Sequence, residues 1–274
     1  AGAAFIICFL VTLVMYYGGI GFMLIMICVA VLMLVRSNIR YRNKLKNEQK
    51  DEVFQQMMQS RDKREIWNLL RRHVREQLAD MLSFTARIYI QMTEGFVNED
   101  LKSLRKAVSA TNDEKDMIKK VRRKEMLGMR RIDRNMAIEK NTWFHLESNS
   151  SEQIMYCLKR MCEPLKEHVD NNFNPLPEHC VKEFLPLRDE LTSLVLQVQG
   201  IIMAGQYEEA DKVMQRGELL REKFSRLQKM QLSRVQEINS SLKISLVYLN
   251  LLQESQELVS IVRHLLRASR KFQG

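Results

Sequence analysis

The strongest constraint on this chain is the absence of charged side chains from its first 35 residues. Ala1 to Val35 contain no Asp, Glu, Lys, Arg or His, whereas all 43 basic and 33 acidic side chains lie in the rest of the 274 residues. A helix needs about 20 apolar residues to cross a bilayer, so this segment is long enough to lie in a membrane. The boundary at Arg36 therefore indicates a change of solvent from lipid to water.

The uncharged segment is predicted to form a transmembrane helical hairpin. It is too long for one untilted span and slightly short for two complete spans. Glycines offer a turn beside paired tyrosines, which are typical of a membrane surface, and these residues are Tyr16, Tyr17, Gly18, Gly19 and Gly21. We predict spans at Ala3–Tyr17 and Ile20–Val35, with the first span shortened at its start, as the end of a larger membrane domain.

A basic cluster follows the hairpin directly and sets the predicted topology. Its members are Arg36, Arg40, Arg42, Lys44 and Lys46. Basic residues beside a span stay on the cytoplasmic side, so we expect a multi-pass protein of the inner (cytoplasmic) membrane with residues 36–274 in the cytoplasm. A cleaved signal peptide has its basic residues before the apolar run, and here they come after it. The cluster is also expected to attract anionic membrane lipids.

The net charge of +10 does not indicate nucleic-acid binding, because the basic residues are interleaved with acids and are not grouped with aromatic residues. The stretch Lys119–Lys124 is an exception. We interpret it as a solvated helix face, with lipid contact as the alternative. The five cysteines form no disulfide framework and no repeated CxxC motif, so reduced thiols in a helical bundle are expected.

After Arg36 the apolar residues recur every three or four positions, and no useful alternating pattern occurs. This periodicity predicts an all-α fold, with a basic juxtamembrane linker at 36–61 and a helical domain at 62–273. The 17 methionines suit its core as adaptable filler. Helices are predicted at roughly 62–94, 98–139, 142–172, 180–204, 206–239 and 241–272.

The six predicted helices divide into two similar halves, about 62–172 and 180–273. The stretch Asn174–Pro177 separates them, with Pro186 nearby, because proline is unsuited to a helix interior. Both halves show the order helix, glycine, acidic start, long helix and third helix. In the third helices Glu147 corresponds to Glu254, and Arg160 corresponds to Arg267. This order predicts a duplicated three-helix unit.

No catalytic residue, cofactor site or metal site is predicted, and we expect the protein not to be an enzyme. Phosphate-binding loops, HExxH and GxSxG are absent. Two metal sites are weighed and not favoured: one at Glu147 and Glu254 with Glu257 nearby, and one at His168, His179 and Cys180. Solvated or ion-paired acids and exposed histidines are the expected roles, and His73 and His264 are predicted to lie on the surface.

The tandem three-helix layout resembles the PhoU family of phosphate-regulation proteins. The resemblance covers roughly residues 62–273 and implies a PhoU-like helical bundle. It rests on the layout and on three segments, Glu208–Asp211, Leu251–Ser255 and Arg263–Leu265. Many PhoU proteins bind metals through an acid followed four residues later by Asp. Here Ser151 follows Glu147 and Leu258 follows Glu254, so this motif is not reproduced.

PhoU-like domains also occur behind the membrane spans of bacterial phosphate transporters. The stretch Leu34–Ile39 looks more like the end of a PiT-type inorganic phosphate transporter than like a sodium-phosphate cotransporter. This resemblance implies cation-coupled phosphate uptake, with phosphate and the cation bound by a transport domain outside this sequence. It implies a regulatory role for the helical domain and is compatible with a homo-oligomer. The alternatives are a membrane-anchored signalling receptor and a helical scaffold without transport.

Overall fold

The computed structural model describes residues 28–31, 33, 52–237 and 242–274 of the chain. The chain divides into two units, Ala1–Gln56 and Met57–Gly274. The predicted hairpin at 1–35 lies outside the described residues except for 28–31 and 33, which are helical. Within the described part of the chain, no helix combines the length and the apolar character that a bilayer crossing requires.

Six long helices make up the second unit, and the all-α prediction is confirmed. Residues 52–59, which span the boundary between the units, are also helical, and no strand occurs among the described residues. The long helices are α1 Lys63–Val97, α2 Leu101–Met129, α3 Arg134–Asp170, α4 Glu178–Ala204, α5 Ala210–Glu237 and α6 Leu242–Gln273.

The first three helices begin in the same way, with an aspartate that accepts a hydrogen bond from a free backbone N–H of the first turn. Asp62 accepts from the N–H of Arg64 at 2.9 Å, and Asp133 accepts from the N–H of Asn135 at 2.9 Å. Asp100 accepts from the N–H of Ser103 at 3.1 Å. Such caps stabilise a helix by about 1 kcal/mol each and fix where it starts.

The prediction of one helix over 98–139 is wrong, because the chain turns at residues 130–133. α2 ends at Met129, and α3 starts at Arg134, well before the predicted turn at Asn141. Neither glycine nor proline marks this turn. The Asp133 cap starts α3, and the Arg131 side chain turns away to bind backbone carbonyls of Met57 and Ser60 at 3.0 and 2.9 Å.

The Asn174–Pro177 stretch separates α3 from α4, as predicted, whereas two other prolines lie within helices. Pro186 lies inside α4, and Pro164 lies inside α3. A proline in a helix interior costs about 3 kcal/mol through one lost hydrogen bond and a steric clash. Phe184 and Leu191 flank Pro186 and are fully buried, so packing of the helix on its neighbours offsets this cost.

The helices form two groups of three, which we call the first triad (α1–α3) and the second triad (α4–α6). α1 packs against α2 and α3, and α6 packs against α5 and α4. The triads meet where α1 contacts α4 and where α3 contacts α6. α3 and α6 are antiparallel: Lys140 Nζ donates to the carbonyl of Lys271, and Cys157 Sγ donates to the carbonyl of Glu254. A core of buried apolar side chains runs through both triads.

Candidate functional site

Glu147 lies within α3, and its carboxyl group is buried without an ion-pair partner among the described residues. The residue is 2% exposed, and neither carboxyl oxygen has a hydrogen bond of ordinary geometry with a described residue. Burial raises the pKa of Glu147 well above its ordinary value, the charge of Glu125 raises it further, and the Ser269 hydroxyl acts in the opposite direction. The fold therefore favours the neutral, protonated form of this side chain.

Glu125, near the end of α2, is the second buried acid of this region. Burial raises the pKa of Glu125 to about 7, although the Arg122 guanidinium lowers it. Arg122 also donates to Glu152 Oε1 at 2.6 Å, so its charge is shared between two acids. Glu125 therefore titrates near neutral pH, and its charge acts on Glu147.

Two hydroxyl groups complete the polar contacts around Glu147. Tyr207 stands in the turn between α4 and α5, and its hydroxyl oxygen lies 2.9 Å from the hydroxyl oxygen of Ser269 on α6. Burial raises the pKa of Tyr207 to about 12, the Ser269 hydrogen bond lowers it, and the charge of Glu147 raises it. Tyr207 is therefore an un-ionised phenol beside a carboxyl group.

Arg71 and Arg75, one helical turn apart on α1, lie beside Tyr207. Burial and the neighbouring charge of Arg75 lower the pKa of Arg71, and its Nε donates to Gln273 Oε1 at 3.3 Å. The Arg75 guanidinium lies against Gly205, at the end of α4. We call the whole group the Glu147 cluster, and its members are Arg71, Arg75, Glu125, Glu147, Tyr207 and Ser269.

The residue that corresponds to Glu147 in the second triad has a different environment. Glu254 accepts two hydrogen bonds from Arg160, at 2.8 and 2.7 Å. The sequence comparison matches Arg160 with Arg267, yet Arg267 is exposed and Glu147 has no hydrogen-bond partner. An ion pair is therefore formed at one of the two equivalent positions only, and the prediction of a solvated or ion-paired role is wrong for Glu147.

The other residues considered from the sequence lie apart from one another. His264 and Glu257 are exposed, but His73 is buried, so the prediction of a surface position for His73 is wrong. His168 is also buried, and its Nε2 lies 2.8 Å from the carbonyl oxygen of Asn174. His179 Nε2 lies 3.3 Å from Cys180 Sγ. Among the described residues these two form no metal-binding group with His168.

The described cysteines are free, and the thiols of the bundle are unreactive by environment. Cys28, Cys157, Cys162 and Cys180 form no disulfide. Burial raises the pKa of Cys157 well above its ordinary value and raises that of Cys162 to about 12. A thiol that stays protonated is a poor nucleophile, so these cysteines contribute to packing.

Comparison with solved structures places this arrangement among known folds. PhoU from Pseudomonas aeruginosa matches with a TM-score of 0.61, covering 74% of this chain and 96% of that protein at 11% sequence identity. The fold is PhoU-like. No protein-family model matches the sequence, and no curated protein matches it. The likeness therefore concerns the arrangement of the helices.

Among the described residues, no three His, Cys, Asp or Glu side chains are placed to hold one ion. The side chains of Ser151 and Leu258 replace the second acid of each motif, and both are buried. The Glu147 cluster instead holds a carboxyl group whose burial favours the protonated form.

Part of this cluster was not recognised from the sequence. Glu125 lies in a charged stretch that reads as a solvated face, and Tyr207 lies beside the acidic start of a helix. A usable signal existed for Glu125, because it follows Val121 and Arg122 at helical spacing and precedes Gly128 and Met129, which are buried. Burial of Tyr207 depends on the packing of the α4–α5 turn against α1, which local sequence does not specify.

Proposed function

We propose that this protein is a membrane-attached PhoU-like domain that regulates inorganic phosphate transport. The observation that carries the proposal is the PhoU-like fold of the helical unit in a chain whose first 35 residues are uncharged. The fold provides the link to phosphate regulation, and the uncharged segment followed by a basic cluster supports attachment to a membrane.

In this proposal residues 1–35 form the last hairpin of a multi-pass phosphate transporter of the cytoplasmic membrane. Residues 36–274 then lie in the cytoplasm and adjust cation-coupled phosphate uptake without catalysing a reaction. Phosphate and the coupling cation bind to the transport domain, which is not part of this sequence. A PiT-type transporter is favoured over a sodium-phosphate cotransporter by the residues Leu34–Ile39.

Phosphate uptake in cells tests the proposal directly. Radiolabelled phosphate uptake is compared between the complete gene and a version truncated after Lys46, with membrane levels of both proteins measured. We expect the complete protein to take up phosphate and the truncation to change the rate or its response to external phosphate. A well-expressed complete protein without phosphate uptake would exclude transport and favour a receptor or a scaffold.

A matched pair of full-length variants tests whether regulation of phosphate uptake requires the helical domain to be folded or only to be present. Leu265 is fully buried in α6, so Leu265→Arg places a charge in the core and disrupts the domain. Arg267→Gln changes an exposed position two residues away. Leu265→Arg is expected to reproduce the truncation, and Arg267→Gln is expected to behave as wild type. Unchanged regulation in both variants would argue against a regulatory role for the folded domain.

A further inference from the structure

A groove lies between the end of α2 and the start of α3, and its lining combines apolar and basic side chains. Its volume is about 590 Å³. Met126, Met129, Ile132 and Phe144 belong to the apolar lining. Ile138 stands at its edge and is 68% exposed, an unusual position for a large aliphatic side chain. Arg130 and Arg134 are exposed and also line the groove, as do Ala137, Asn141 and His145.

Exposed basic residues continue from this groove along α2. Lys119 and Arg123 lie eleven and seven positions before Arg130, so they share a helix face with it, and Lys120 borders this face three positions before Arg123. None of the ion pairs between described residues uses Lys119, Lys120, Arg123, Arg130 or Arg134. Two exposed acids, Asp113 and Asp116, lie on or beside this face, so its net charge remains positive.

The groove is adjacent to the point where the chain begins the helical unit. Arg131 donates to backbone carbonyls of Met57, Met58 and Ser60, and Lys63 pairs with Asp133 at 3.8 Å. Met57 is buried against Gly128, where a Cβ would lie 2.8 Å from its sulfur. The groove therefore lies beside the residues with which the helical unit begins.

We propose that this groove binds an anionic phospholipid, with the phosphate between Arg130 and Arg134 and an acyl chain along the apolar lining. This proposal rests on the membrane attachment proposed above. Arginine forks bind phosphate oxygens in pairs, and basic groups beside a membrane attract anionic headgroups. The groove volume lies in the range of about 300–1,000 Å³ typical of small-ligand sites. A stable protein partner would instead need roughly 800 Å² of contact surface on each side.

The test is hydrogen exchange of the full chain in lipid nanodiscs. Discs of phosphatidylcholine alone are compared with discs that also contain phosphatidylglycerol. Ile132 and Asp133 lie outside the helices, and their amides donate to no other described backbone group, so these amides report occupancy of the groove with little background protection. We expect slower exchange at these amides in the anionic discs. Loss of that difference is expected in Arg130→Gln/Arg134→Gln and in Ile138→Glu, which alters an exposed position that the fold tolerates.

The control removes the same amount of charge from the second triad. Lys182 and Lys212 are exposed in α4 and α5, and Lys182→Gln/Lys212→Gln should keep the lipid-dependent protection. Equal exchange in both kinds of disc overturns the proposal. Amide protection that is the same with both headgroups and increases with the concentration of the chain also overturns the proposal. Such protection would mean that a second copy of the chain occupies the groove.

Membrane attachment is scored separately, by co-elution of the chain with the discs. A chain that does not co-elute contradicts the attachment and so the proposed function. The groove is then tested with phosphatidylglycerol vesicles by flotation: binding that Arg130→Gln/Arg134→Gln abolishes supports the site, and absence of binding overturns it. Phosphate uptake has no part in this experiment, so a failure of regulation and a failure of lipid binding remain distinguishable.

Discussion

At the scale of single residues, Glu147 is buried without a cation because the two halves of the bundle diverge at one pair of positions. Glu254 is matched by the Arg160 guanidinium across the α3–α6 contact, whereas the corresponding Arg267 points to solvent. A carboxylate without a partner is costly in such a place, and the side chain avoids that cost by holding a proton. Both halves carry Glu and Arg at these positions, so the burial of Glu147 without a cation follows from a difference in packing and not in residue type.

The two buried glutamates predict that stability falls as pH rises. Below about pH 4.5 the folded and unfolded chains both carry protons on these groups, and pH has no effect through them. Above that pH the unfolded chain loses protons that the folded chain retains, so stability declines. For Glu125 the decline continues to about pH 7. For Glu147 it extends to a pKa well above 4.5.

Glu125→Gln is the variant that tests this dependence. Removing the acid should flatten the decline between pH 5 and pH 8 and stabilise the fold at pH 8 by up to roughly 3 kcal/mol, from a pKa difference of about 2.5 units. Thermal unfolding of the full chain at both pH values measures the effect. Glu257→Gln, at an exposed position of α6, is the control. Parallel pH profiles for wild type and Glu125→Gln would show that Glu125 does not titrate in this range.

At the scale of helices, the sequence predicts the number of the six long helices and most of their ends. The helical period of the apolar residues and the position of Gly205 are sufficient to predict the bounds of α4, which is predicted at 180–204 and observed at Glu178–Ala204. The α2–α3 turn was missed because its signals are an aspartate cap and a side chain that binds distant carbonyls. Asp133 was visible in the sequence, whereas the carbonyls of Met57 and Ser60 lie over 70 residues away along the chain.

Two glycines of the same stretch should respond oppositely to alanine. Gly205 has φ of 69° and lies against the Arg75 guanidinium, so Gly205→Ala forces a left-handed alanine and displaces that side chain. We expect a loss of about 1–2 kcal/mol. Gly200 lies inside α4 with nothing within 4 Å of an added Cβ. Gly200→Ala should therefore stabilise the fold by about 1 kcal/mol, since alanine favours helix.

Denaturant unfolding of both glycine variants, followed by far-ultraviolet circular dichroism, checks this pair. Each variant serves as the control for the other, because the two glycines lie five residues apart, one within α4 and one at its C-cap. They differ in backbone conformation and in surroundings. Equal effects of the two substitutions would contradict the left-handed cap at the end of α4.

At the scale of the whole helical unit, the two triads share one core and are joined by polar contacts within it. The hydroxyl oxygens of Tyr89 on α1 and Ser255 on α6 are 2.8 Å apart, and both residues are fully buried. The repeat in the sequence predicts two similar halves, but it does not predict which residues of the two halves contact each other. Which faces of the halves meet depends on shape and on pairs such as Tyr89 and Ser255.

The end of α6 shows how far this joining extends, because its last aromatic residue belongs to the core of the first triad. Phe272 is fully buried, and its ring centroid lies 5.2 Å from that of Trp67 on α1 and 6.0 Å from that of Phe144 on α3. Phe272→Ala should lower the free energy of unfolding by about 3–5 kcal/mol. If the triads form one cooperative unit, that loss applies to both of them.

Two probes of the same unfolding experiment decide whether the triads are coupled in this way. Tryptophan fluorescence reports on Trp67 and Trp143, which both belong to the first triad, and far-ultraviolet circular dichroism reports on all helices. We expect the two transitions to coincide in wild type and to shift together in Phe272→Ala, because the broken contacts lie between α1, α3 and α6. A fluorescence transition that moves while part of the helical signal stays at the wild-type midpoint would mean that the second triad is stable alone. The contacts between the triads would then be a docking interface between two independently folded halves.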